Sequence, residues 1–80
     1  MVTHKMLEIL AGVARMPERY RHDRKAQLVS DYKLHLSCSY AMEAFEALVG
    51  EKQPSELSEH GRACFQSVQS MAKRDLAAVS

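Results

Sequence analysis

An all-α fold, a small bundle of three to four helices at about 3–16, 17–36, 39–49 and 55–78, follows from three features of this 80-residue chain. In the most apolar stretch, Ser39–Gly50, the large side chains Ala41, Met42, Phe45, Leu48 and Val49 recur at spacings of three and four, which gathers them on one face of a helix. The same period runs through the first fourteen residues and through the last third of the chain. Helix breakers stand between these stretches: Pro17, Gly50 and Pro54. A hydrophobic fraction of 46% and a charged fraction of 26% argue for a packed domain rather than disorder. The whole chain, 1–80, reads as a single helical domain.

The first helix starts at Thr3, whose hydroxyl suits an N-cap. Val2, Met6, Leu7, Ile9, Leu10, Val13 and Ala14 form its apolar arc, with Lys5, Glu8 and Arg15 opposite. Pro17 ends this helix or begins the next. A weaker stripe of Leu28, Val29, Tyr32 and Leu36 supports a second helix over 17–36. That stripe lies nearly opposite the one at 41–49 if one helix is drawn through both, so a break near His35–Ser39 is expected, with Ser37 or Ser39 as cap. The third helix is the central one, with Glu43 and Glu46 turned away from its core face and Gly50 at its left-handed end. Residues 51–56 form a loop, and the last helix begins near Pro54–Ser55 with Ser55 as N-cap. Glu56 and Glu59 in its first turn suit the positive end of the helix dipole. Leu57, Gly61, Cys64, Phe65, Val68, Met71, Ala72, Leu76 and Val79 fill its apolar arc, making it the expected main partner of 39–50. Gly61 inside that arc implies either close approach of a neighbouring helix or a later helix start, because glycine costs about 1 kcal/mol against alanine in a helix interior.

The net charge of +1 supplies no overall attraction to nucleic acid or membrane, but the charge is uneven. Residues 1–33 hold seven Lys/Arg against four Asp/Glu, and residues 34–80 hold four against six. A basic end that could meet an acidic partner results. No apolar run approaches the ~20 residues that span a bilayer. The N-terminus carries no basic segment followed by an apolar run, and two cysteines without such a signal read as free thiols, so a cytoplasmic location is expected.

Three groups of residues are candidates for chemistry. His35-x-x-Cys38 and His60-x-x-x-Cys64 have spacings that zinc sites use, although no Cys-x-x-Cys knuckle is present and core packing is the favoured reading of Cys64. Asp75 shares the helical angle of Leu57 and Val68; a wet chain end is the favoured reading, and if buried it would need Arg21, Arg24, Lys25 or a histidine as partner. The basic stretch Arg15, Arg19, Arg21, Arg24 and Lys25, with Tyr20 interleaved, reads first as a solvated helix face and next as a docking patch for an acidic protein. No phosphate-binding glycine loop, nucleophile elbow or acidic metal cluster accompanies these residues, so no enzyme activity and no cofactor are expected.

The function expected on these grounds is a protein-interaction module that binds and regulates a larger protein partner as inhibitor, adaptor or chaperone. Homodimerisation is expected as well, and Arg19, Arg21 and Arg24 form the partner-binding rim. The alternative is a DNA-binding regulator. Tyr32–Tyr40 alternates with period two, as a strand does, and Pro54-Ser-Glu-Leu57 follows a helix and loop. That order loosely resembles the ribbon-helix-helix family, which implies a dimer with paired strands in the major groove and Lys33, His35 and Ser37 facing bases.

Overall fold

The computed structural model describes residues 2–33 and 35–79, the side chain of Val79 excepted, and its described residues form five α-helices. These are α1 (His4–Ala14), α2 (Glu18–Asp23), α3 (Lys25–Tyr32), α4 (Ser39–Leu48) and α5 (Glu59–Val79), with a 3₁₀ turn at Pro54–Glu56. The small all-α bundle expected from the apolar period is the fold. A 21-residue helix is about 31 Å long, which matches the 32 Å longest dimension of the molecule, so α5 runs the length of the bundle.

Helix α1 begins where the cap chemistry places it: the Met6 amide donates to Thr3 Oγ1 at 3.2 Å. Met6, Leu10, Ala11 and Val13 are buried, while Lys5 and Glu8 stay in solvent. The bundle packs around α4, which buries Ala41, Ala44, Phe45 and Leu48, with Val49 just beyond its end. Its most extensive neighbour is α5, as expected, and α1 packs against both. Phe45 is fully buried and meets the Tyr32 ring edge-on at 6.5 Å, which ties the end of α3 to the core. Gly50 adopts φ +84°, and the chain end of α4 closes with two bonds, Glu51 N–H to Glu46 O at 2.8 Å and Gly50 N–H to Ala47 O at 3.3 Å. That pair is the Schellman arrangement, which needs a residue without a Cβ at this point.

Four expectations are corrected. The helix expected over 17–36 is two helices. Arg24, at φ −109° and ψ 15°, leaves the helical region between them, and α3 stops at Tyr32. The physical reason is that α2 buries none of its residues, so no core face holds it in register with the stripe that begins at Leu28. Cys38, not a serine, occupies the cap position of α4. The last helix starts at Glu59, not Ser55: Leu57 is extended and buried, and Ser58 caps the helix, its Oγ accepting from Gly61 N–H at 3.1 Å. Glu43 does not turn away. One carboxylate oxygen accepts from the Ser58 amide at 2.9 Å and the other from the Ser58 hydroxyl at 2.8 Å. The alternating stretch at 32–40 is the end of α3, a turn and the start of α4, with no strand among its described residues; Leu34 lies outside them.

Candidate functional site

The charged segment after Pro17 returns along the far end of α4 and, with the loop and α5, encloses a cleft of about 630 Å³. Helix α2 contributes Glu18, Arg19, Arg21 and His22 to one wall. The end of α4 and the loop behind it supply Leu48, Val49, Gly50, Lys52, Gln53 and Pro54, and α5 closes the floor with Phe65 and Gln69. Two physical causes bring these walls together. The left-handed turn at Gly50, φ +84°, folds the loop back until the glycine lies against the His22 ring of α2. Arg21 lies across the end of α4, and its Nη1 donates to the Leu48 carbonyl at 3.1 Å. A guanidinium at that end of a helix satisfies an orphan carbonyl and meets the negative pole of the dipole.

The cleft is cationic above and apolar below. Arg19, Arg21 and Lys52 face Glu18 as the single carboxylate of the lining. Their existing partnerships are loose. The Arg19 side chain is 94% exposed with Asp23 at 3.9 Å, and Lys52 Nζ stands 3.4 Å from the half-buried Glu46. Pro54, exposed, and Ala47, half-buried, give the lining its apolar surface, with core residues Leu48, Val49 and Phe65 behind them. Arg21 Nε is buried and meets no acceptor among the described residues.

Of the three arginines expected to form a partner rim, the structure places Arg19 and Arg21 in this cleft and Arg24 outside its lining. Arg24 instead donates to the Tyr20 hydroxyl and stacks on that ring at 5.1 Å. Arg15 is drawn off to Asp75, at 2.6 Å across α1 and α5. That contact answers the question posed by Asp75: it is exposed rather than buried in the stripe, and its cation is none of those the spacing suggested. His22 and Lys52 were not picked out from the sequence. His22 carries a signal in retrospect, since it stands beside Arg21. Lys52 carries none, because only the turn at Gly50 brings it to α2.

The zinc spacing does not converge on a site. Among the described residues no three of His, Cys, Asp and Glu are placed to hold a metal. His35 lies exposed in a turn, and His60 packs its ring 5.0 Å from that of Tyr40. Cys38 and Cys64 are free thiols in different settings. The amide of Ala41, and after it that of Tyr40, at the start of α4 favours the Cys38 thiolate and lowers its pKa. Burial, and then the charge of Cys38, raises that of Cys64.

No protein-family model matches this chain, nor does any curated protein or solved structure. Among the described residues no helix is long and apolar enough to cross a membrane.

Proposed function

We propose that this chain is a small, non-enzymatic protein-interaction module that binds a larger protein and regulates it, with the cleft between α2, the 49–54 loop and α5 as its docking site. The observation that carries the reading is the union, in one concavity, of three cations with the apolar surface of Pro54 and Ala47 and the outer edges of Leu48 and Phe65. Protein interfaces are built on that plan, an apolar centre with a polar rim. Arg19 and Arg21 are the rim residues in this reading, with His22 and Lys52 beside them, while Arg24 stacks on Tyr20 outside the lining. A second copy of the chain is a further partner in this reading, supported by the small core that a domain of only 80 residues can bury alone.

The test is a photo-crosslinking residue placed at Gln53 in the cleft or at the exposed Gln27 outside it, in the native cell. A discrete larger protein captured from Gln53, absent from Gln27 and lost on Arg19→Glu, is the expected result. The same background from both positions would sink the docking site. Sedimentation equilibrium checks self-association: the dimer predicts a mass twice 9.0 kDa.

A further inference from the structure

Resting on the reading of the cleft as a docking site, we infer that its occupant is an acidic segment of another protein that also carries a bulky apolar side chain. The charge of the lining requires the first property. Arg19, Arg21 and Lys52 outnumber Glu18 by three to one, and none of the three is locked in a buried ion pair. Exchange of the exposed Asp23 or the half-buried Glu46 for an incoming carboxylate costs little, because solvent-accessible pairs contribute under about 1 kcal/mol each. Arg21 differs from the other two. Its bond to the Leu48 carbonyl holds the guanidinium in place before any partner arrives, so less side-chain entropy is lost on binding.

The floor requires the second property. The exposed Pro54 and the half-buried Ala47 line the cleft beside the slim outer edges of Leu48 and Phe65, and a purely anionic guest would leave that surface wet. The Gln69 amide offers a donor and an acceptor to an extended main chain, and Gln53, whose side-chain oxygen takes part in the capping box with Glu56, adds a donor. Nucleic acid fits less well. The chain as a whole is only +1, and the sole aromatic in the lining, Phe65, is 8% exposed and offers no stacking face. Tyr20, the aromatic of the basic stretch, is held by Arg24 outside the lining.

The test uses the full chain and four labelled or direct probes: a short peptide of alternating Asp and Leu, its Asp/Ser counterpart, a short DNA duplex and inorganic phosphate. Anisotropy or calorimetry gives affinity, and amide shift changes give the place. The Asp/Leu peptide should bind about tenfold more tightly than the Asp/Ser peptide, weaken as salt rises, and move amides of 18–22, 48–54 and 65–69. The pair Arg19→Glu and Lys52→Glu should weaken it about tenfold while the helical spectrum is unchanged. Equal binding of the two peptides, tighter binding of DNA or phosphate, or shifts elsewhere would overturn the inference. So would a dimer that covers the cleft, since the occupant would then be a second copy. The two readings fail separately. A crosslinked partner entering from Gln53 through a segment without carboxylates overturns the acidic occupant and leaves the docking site standing. No specific partner at Gln53 sinks the docking site.

Discussion

At Gly61 a Cβ would stand 2.7 Å from Oε2 of Glu43 and 3.0 Å from its Cβ, so the close approach implied by a glycine in an apolar arc is made by that side chain. Alanine there displaces the carboxylate from both of its bonds to Ser58. Gly61→Ala should therefore destabilise the protein, although alanine is worth about 1 kcal/mol more than glycine in a helix. In a Glu43→Ala background the carboxylate is gone and only the tight Cβ contact at 3.0 Å remains, so the same substitution should cost distinctly less there. Urea unfolding of the four proteins checks that difference, and parallel effects in the two backgrounds would refute the contact. The two thiols differ at the same scale. Cys38 is half exposed with a lowered pKa, and Cys64 is buried with a raised one. Iodoacetamide near neutral pH should modify Cys38 first and reach Cys64 only on unfolding, as mass spectrometry of timed samples would show.

Among the elements, α4 holds the others together because three neighbours converge on Phe45, Leu48 and Val49. Phe45→Ala removes a fully buried ring, a change of about 3–5 kcal/mol. A domain of this size has only about that much stability, so the variant should show little helical circular dichroism at room temperature. Helix α2 is the opposite case. It has six residues and buries none of them, and its ties are the Arg21 bond to Leu48 and its junction with α3. Its amides should exchange with solvent deuterium well before those of α4 and the buried half of α5. Uniform protection across the helices would contradict this.

For the molecule as a whole, the Glu43–Ser58 bonds link the charge state to the fold. The Ser58 amide, then its hydroxyl, hold the Glu43 carboxyl below its ordinary value. A carboxyl lowered by folding contributes stability above its unfolded pKa, about 4.3, and that contribution is lost as pH falls through the folded pKa. The midpoint of thermal unfolding should therefore decline on the acid side of about pH 4, and Glu43→Gln should flatten that decline. An acid limb identical in the two proteins would show that other groups govern it.

The amino-acid sequence by itself determined the helical class, the start of α1 at Thr3, the end of α4 at Gly50 and most of the core, from Leu10 to Val68. Those features are local. A period of three to four, a hydroxyl before the first turn and a glycine after the last act within a few residues of chain. Tertiary structure decided the remainder. It split the second helix at Arg24, where no core face was at hand, and moved the start of α5 from Ser55 to Ser58, where Glu43 waits fifteen residues upstream. It also divided the basic stretch, sending Arg15 to Asp75, Arg24 to Tyr20, and Arg19 and Arg21 to a cleft completed by Lys52 and Phe65. Partners of that kind lie up to sixty residues away along the chain, and the energy of such a contact exists only once the helices have packed.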